Sequence, residues 1–388
     1  MATRVTAPCL AGEEGPMSEP GTSDAALMER ALSVAERGRR TAPPNPWVGC
    51  VLVKHGVIVG EGFHVRPGEA HAEVAALQEA GDRARGATAY VTLEPCAHTH
   101  RTGPCADALI EAGISRVVAA VEDPDPHVRG SGFARLRDAG VDVTVGVGSE
   151  EVTDSLAPYL HHRRTGRAYC LAKVAMTLDG RISASADAPT PITGDASRAD
   201  AHRLRAESQA IVIGSGTALA DRPALTVRGV DNELTPPVRV LLDARARVPA
   251  EGPLFDTDLA PTLVLTRDGA VGGNAADAWR TAGAKVEGIA SSTAGEGLDL
   301  EAVLSELGAH GVLQAMFEGG GRIHGALLAA DLVDRLVVYV APFFLGSGAV
   351  PAFASAGPAT VDTKLELVSA TELGDDVRLD YRRSVEAA

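Results

Sequence analysis

Residues 71–96 read HAEVAALQEAGDRARGATAYVTLEPC, and the nine residues that follow, AHTHRTGPC, end at Cys105. HAEVAALQEA has helical periodicity, ATAYVTLE reads as a strand running into Pro95-Cys96, and CADALIEAG reads as the next helix. The end of a strand, where a loop leads into a helix, is where an α/β domain places its active site. His71, Cys96 and Cys105 supply one imidazole and two thiols at that edge. Three such donors leave a tetrahedral zinc one open position, the catalytic arrangement, whereas a structural zinc takes four protein ligands. Zinc lowers the pKa of water in that position to about 7. Glu73, two residues from His71, is close enough to move protons for that water without ligating the metal. The bland alternative makes His71 a cap and the cysteines buried small hydrophobes. The H-x-E, P-C and second cysteine together argue against it.

Working outward, a helix DAALMERALSVAERG with Asp24 as N-cap and Gly38 as stop precedes TAPPNP. The runs WVGCVLV and VIVGEGFH around Lys-His-Gly read as a hairpin. Beyond Cys105 the chain alternates strand RVVAAVE, helix GFARLRDAG and strand VDVTVGV, an α/β pattern with a largely parallel sheet. The basic, turn-prone PYLHHRRTGR near residues 158–168 marks a junction. A second α/β series follows: YCLAKVAM, helix RADAHRLRAES, strands QAIVIG, VRVLLD and TLVLT, helices AADAWRTAG and LEAVLSELG, then strands LQAMFEG and RLVVYVAPF. Residues 1–22, rich in Gly, Pro, Glu and Ser, read as a disordered leader. This gives two domains, 23–166 and 167–388.

The 388-residue chain has 36 Lys plus Arg against 51 Asp plus Glu, a net charge of −15, and is 45% hydrophobic. Its mean hydropathy is +0.04. Such a composition supports a folded globular protein and disfavours wrapping of nucleic acid or of an anionic membrane. No run of eighteen apolar residues and no secretory segment occurs, so a cytoplasmic enzyme is expected. Five cysteines do not make a secreted disulfide scaffold. Cys9, in the leader, and Cys50 and Cys170, on apolar strands, read as inert thiols.

An H-x-E followed by P-C and a further cysteine is the signature of zinc deaminases. Eight residues separate Cys96 from Cys105, unlike the C-x-x-C of the branch that edits nucleic acids, and aromatics are only 4%, few for a base-stacking groove. The longer blocks Pro44-Asn45-Pro46-Trp47-Val48-Gly49, GEGFHVRPGEAHAE and TLEPCAHTHRTGPC resemble the bifunctional deaminase–reductase family of riboflavin biosynthesis. That resemblance spans about residues 24–384. It implies a cytidine-deaminase-like zinc domain whose substrate is 2,5-diamino-6-ribosylamino-4(3H)-pyrimidinone 5′-phosphate. It further implies that Asn45, His64, His98, Arg101 and Asp123 line the substrate pocket. A guanidinium at Arg101 suits a phosphate. His100 stands where the family has glycine and Asp125 where it has asparagine; a carboxylate facing the phosphate would weaken binding.

The second half is less explicit. Gly214-Ser215-Gly216-Thr217 follows a strand but has Leu219 in place of the third glycine of G-x-G-x-x-G, a weak match. Gly319-Gly320-Gly321 also follows a strand and opens a helix, a better seat for a pyrophosphate. KVAMTLDGR, LRAES, GSGTALADRPALTVR and EGGGRIHGALL resemble, in order, the reductase half of the same family. The resemblance implies a dihydrofolate-reductase-like α/β domain that uses NADPH and associates as a homo-oligomer. It implies cofactor contacts at Ala175, Thr217, Asp221, Gly320, Gly321, Arg322, Ile323, His324, Gly325 and Ala326. Arg205, Leu225, Arg228 and Glu318 are implied at the substrate. The family's S-x-W-I-T reads Pro189-Thr190-Pro191-Ile192-Thr193 here, losing a hydroxyl donor and an aromatic ring. Two readings follow: consecutive zinc deamination and NADPH reduction, or a deaminase whose second half serves only binding or dimerisation.

Overall fold

The computed structural model describes residues 23–97, 103–126, 128–230, 235–292, 297–354 and 365–383. The leader, Cys9, His98, His100 and Arg101 lie outside them. In the first half, Asp24–Ala35 (α1) precedes Gly49–Lys54 (β1), Val57–Phe63 (β2) and Ala72–Ala80 (α2). Thr88–Leu93 (β3), Cys105–Glu111 (α3), Arg116–Val121 (β4) and Ser131–Asp138 (α4) follow. Asp142–Val145 (β5), Ser149–Ser155 (α5) and Ala157–Thr165 (α6) complete this half. The strands lie in the order β2-β1-β3-β4-β5. β1 is antiparallel to β2 and β3, while β3, β4 and β5 are parallel.

Ser23, not Asp24, caps α1, its hydroxyl accepting from Ala26 N. Asp24 instead accepts from Tyr90 and Arg116. The β1–β2 turn is His55-Gly56, with φ of 51° and 77°, so Lys54 belongs to the strand. Two positive φ values match a two-residue hairpin turn to the strand twist. The apolar runs of β1, β3 and β4 are covered on both faces by helices. On one face Leu27, Met28 and Val34 of α1 meet Val51, Val53 and Val118, with Leu156 and Leu160 beside them. On the other, Ala76, Leu109 and Leu136 of α2, α3 and α4 meet Cys50, Leu52 and Val91. Cys50 and Cys170 are buried free thiols.

The segment read as a turn-prone junction is the helix α6. Pro158 sits in its first turn, Gly166 ends it at φ 73°, and His162, Arg163 and Arg164 occupy the last turn. Pro pre-sets the first helical φ, Gly accepts the left-handed cap, and cations favour the carboxyl end of the dipole. One helix thus ties the halves together. Tyr159 donates to Asp123 at 3.0 Å, and His162 Nε2 lies 3.0 Å from Gly308 O. Leu313, from the second half, is buried in the first domain's core.

The second half opens with Tyr169–Thr177 (β6), Arg181–Ser183 (β7), Asp195–Glu207 (α7) and Ala210–Gly214 (β8). Ser215–Asp221 (α8), Val238–Leu242 (β9), Thr262–Arg267 (β10), Asn274–Thr281 (α9) and Lys285–Ile289 (β11) continue it. Leu300–Ala309 (α10), Gln314–Phe317 (β12), Gly321–Ala329 (α11) and Arg335–Ala341 (β13) come next. Val350–Pro351 (β14), Leu365–Leu373 (β15) and Asp376–Arg383 (β16) end the described chain. Nine strands form one sheet, β11-β10-β9-β8-β12-β6-β13-β16-β15. It is parallel from β11 to β13, with the antiparallel β16–β15 hairpin at one edge. The ends of β6, β12, β8 and β9 therefore share one side.

Candidate functional site

His71 is the N-cap of α2, Cys96 follows β3, and Cys105 opens α3. Glycines let α2 approach the sheet closely: a Cβ at Gly62 would stand 2.3 Å from Ala72 O, and one at Gly60 2.4 Å from Ala76 O. His71 Nδ1 lies 3.1 Å from Cys105 Sγ and 3.7 Å from Cys96 Sγ, and the three donor atoms all lie within 4.8 Å of one another. Among the described residues no fourth His, Cys, Asp or Glu joins them. An imidazole and two thiols converging at half-buried depth form a donor set that fits zinc. Cys96 is the readier thiolate, held down to about 4 by the hydrogen bond from the Cys105 thiol, with His71 adding to it and burial opposing. Glu73 is buried beside these thiols, and burial, with the Cys96 charge adding, pushes its carboxyl up to about 7.

Asn45 and His64 meet next to this cluster, Nδ2 to Nε2 at 3.0 Å. His64 Nδ1 is 3.1 Å from Ala70 O, which only accepts, so Nδ1 carries the hydrogen and Nε2 accepts from Asn45. Burial lowers the His64 pKa, favouring this neutral tautomer, and its ring stands edge-on to His71 at 5.2 Å. Asp123 is buried and accepts from Asp125 N and Tyr159 Oη, so its carboxylate is largely committed within the protein. The Asp125 carboxylate lies 3.9 Å from Arg163, whose guanidinium stacks over Tyr159. The extra acid therefore has a cation of its own.

In the second half, Glu318 follows β12 and receives Arg205 through Nε at 2.5 Å and Nη2 at 2.8 Å. Arg205 Nη1 also donates to Thr226 O. The arginine is mostly enclosed and does not lie on the exposed face of α7. Burial, the largest single influence, would raise the Glu318 carboxyl, but the Arg205 charge and hydrogen bonds, with Lys173 adding to them, together hold the pKa down at about 2. Arg228 is exposed, its N–H donating to His202 Nδ1, and Leu225 is buried at φ 52°. Thr217 lies in α8 and exposed Asp221 at its end; Ala175 is half-buried on β6.

A Cβ at Gly320 would stand 3.6 Å from Thr217 Oγ1, and one at Gly216 would meet nothing within 4 Å. The glycines thus leave a cradle between the ends of β12 and β8 that a pyrophosphate fits. The run Gly320–Ala326 does not face this cradle as a whole. Gly321 packs on Pro351 O and Gly325 on Ala354 O, where a Cβ would come within 2.2 and 2.1 Å. His324 is 2% exposed, with Nε2 3.3 Å from Phe317 O. Gly320, Arg322, Ile323 and Ala326 remain partly or fully exposed, as one stripe of a helix must be.

Residues 22–121 match the model of the cytidine and deoxycytidylate deaminase zinc-binding region, and residues 168–379 match the RibD C-terminal domain. The chain belongs to the RibD family. Escherichia coli riboflavin biosynthesis protein RibD is 42% identical over 341 residues, covering 84% of this chain and 89% of that protein. The Haemophilus influenzae protein of the same name is 39% identical over 381 residues, 94% and 99% of the two chains. Acinetobacter baumannii RibD (form 1) matches with a TM-score of 0.83 and 35% identity over 93% of this chain and 99% of that one. A Thermotoga maritima diaminohydroxyphosphoribosylaminopyrimidine deaminase/5-amino-6-(5-phosphoribosylamino)uracil reductase gives 0.82 and 30%, with the same coverages.

This RibD-family chain also uses residues that the sequence reading passed over. Glu94, beside the Pro-Cys, accepts from the backbone N–H of Asp123, Gly130, Gly132 and Phe133, tying the Cys96 loop to α4. Lys173, inside the quoted KVAMTLDGR, puts Nζ 3.9 Å from Glu318 Oε2. Burial lowers its pKa, with Glu318 opposing. A lysine in the middle of an apolar strand was the available signal, since burying one is costly unless it is paired.

Proposed function

We propose that the chain deaminates 2,5-diamino-6-ribosylamino-4(3H)-pyrimidinone 5′-phosphate at the His71–Cys96–Cys105 cluster. We further propose that it then reduces the ribosyl side chain to ribityl beside Glu318. RibD membership makes it a bifunctional zinc deaminase and NADPH-dependent reductase of riboflavin biosynthesis; the residue assignments are ours. The observation that carries them is the buried Glu73 set against three converging zinc donors.

Zinc, when bound, activates water at neutral pH. His71, Cys96 and Cys105 would hold it, and Glu73 would take up a proton and return one to the departing amine. Asn45 and His64 form a fixed polar wall for the pyrimidine, and His98, Arg101 and Asp123 are assigned to the ring and ribose phosphate. In the reductase half NADPH supplies hydride. Gly320, Thr217, Ala175 and the exposed stripe Arg322, Ile323 and Ala326 would hold the cofactor, with Asp221 at the far end of α8. Reduction at C1′ would open the C1′–O4′ bond, and O4′ would then need a proton. We assign that proton to Lys173, whose Nζ lies 3.9 Å from Glu318 Oε2, with Glu318 itself held by Arg205. Arg228, exposed at the rim, is assigned to the substrate phosphate, and Leu225 to the wall below it.

Thr190 does not replace the family's serine donor. Its hydroxyl accepts from Ala184 N at 2.9 Å and pairs with Ser183 Oγ at 3.0 Å, both within its own loop. We therefore expect an active reductase with altered cofactor or substrate affinity. We also expect copies to associate through the reductase half; exposed Leu367 and Val368 on the edge strand β15 support this. No described helix is long and apolar enough to cross a membrane. A phosphorylated substrate and NADPH support a cytoplasmic setting. The test supplies the diamino-pyrimidinone with and without NADPH, following ammonia and NADPH absorbance separately. Ammonia should appear in both samples and NADPH should be consumed only after it; ammonia release that requires NADPH contradicts the assignment.

A further inference from the structure

The segment 224–228, which carries Leu225 and Arg228, lies in no helix or strand. Its backbone polar groups therefore need partners from elsewhere. Three side chains reach it. Arg239, fully buried on β9, donates through Nη1 to Ala224 O at 3.3 Å. Arg205 Nη1 donates to Thr226 O at 2.9 Å. His202 Nδ1 accepts from Arg228 N at 3.2 Å. His202 and Arg205 stand three residues apart on α7 and so share one face of it. Together they grip alternate residues of the segment, one by its carbonyl and one by its amide. Between these points Leu225 has φ of 52°, an uncommon left-handed value for a leucine, consistent with a backbone held from both sides.

The two arginine grips keep their hydrogens at any working pH. The histidine grip does not. Because Nδ1 accepts, the neutral ring carries its hydrogen on Nε2. Burial lowers the His202 pKa, and the charges of Arg205 on its own helix and Arg228 on the segment add to this. Glu318, after β12, opposes them, and Lys173 on β6 adds a smaller push downward. The ring is therefore neutral at pH 7. A proton placed on Nδ1 turns the acceptor into a second donor facing the Arg228 amide, and the grip on residue 228 is lost.

We infer that His202 is a positioning residue of the reductase: its neutral Nε2–H tautomer fastens the Arg228 amide, holding that guanidinium at the substrate rim, and protonation releases it. This rests on the reductase reading above, which assigns Arg228 to the substrate phosphate. A histidine that only packs on α7 is replaceable by any side chain of similar size. One that acts through Nδ1 is replaceable by asparagine, whose Oδ1 can stand where Nδ1 does, and not by leucine.

Steady-state NADPH oxidation by the full zinc-loaded chain with the deaminated intermediate, resolved into KM and kcat, tests it. His202→Leu should raise the KM for the intermediate roughly three- to tenfold, the share of one hydrogen bond, with a smaller change in kcat and none in ammonia release. His202→Asn should recover most of that loss. From about pH 7.5 down to about pH 5, the native KM should rise more steeply than that of His202→Asn, which has nothing to titrate there. Titration of the substrate phosphate is common to both and drops out of the comparison. Equal KM values for the Leu and Asn variants, or parallel pH profiles for the native chain and the Asn variant, overturn the inference and leave the reductase reading standing. A native chain that neither binds nor oxidises NADPH overturns the reductase reading and the inference with it.

Discussion

His324 shows at the scale of one residue how burial decides a role that a motif leaves open. It lies in a glycine-rich run that resembles a cofactor loop, yet burial holds its pKa down at about 4. Its folded value is depressed below the ordinary 6.5, so the neutral ring stabilises the fold fully above about pH 6.5. That contribution is lost as pH falls towards 4, by up to about 3 kcal/mol. Thermal melts should therefore fall faster between pH 6.5 and 4.5 for the native chain than for His324→Asn. Parallel melting curves would contradict this account. The zinc donors were legible because each sits at the start of a helix or the end of a strand, where local signals are strong. Lys173 and Glu94 were not, and Arg205 was named without its pairing to Glu318, because each of these roles depends on a partner distant in sequence.

Helix positions at the site are set by close approaches that leave no room for a side chain. A Cβ at Gly132, in the first turn of α4, would stand 1.8 Å from Pro95 O, beside the proposed ligand Cys96. Gly132→Ala should push that loop outward, lowering zinc content and costing about 1–3 kcal/mol of stability. Zinc stoichiometry with a melt checks it, and full zinc loading at unchanged stability would show that the loop is not held this way. Most helices and strands were readable from periodicity because a core selects their apolar face. The hairpin β15–β16 was not, since all but the two end residues of β15 are exposed and no core imposes a pattern there. α6 was misread for another reason. Its basic residues suggested a solvated junction, while Pro158 and Gly166 carried the helix signals.

On the scale of the whole molecule, two sheets carry two chemistries and α6 bridges them, bonding Asp123 on one side and Gly308 on the other. The net charge of −15 leaves no general attraction for anionic ligands, so a few placed cations must hold them. Arg205 is paired with Glu318, which moves the burden to exposed Arg228. Charge and composition thus exposed the problem, but only the fold showed which of the named arginines is already paired. The central claim is that the two activities belong to separate, independently removable residue sets. The direct measurement compares Glu73→Gln with Lys173→Met, following ammonia from the diamino substrate and NADPH oxidation with the deaminated intermediate. Glu73→Gln should keep its zinc, lose ammonia release by roughly 10²–10⁴-fold and retain NADPH oxidation. Lys173→Met should do the reverse. Ammonia release that survives Glu73→Gln, or loss of both activities in either folded variant, would contradict the account.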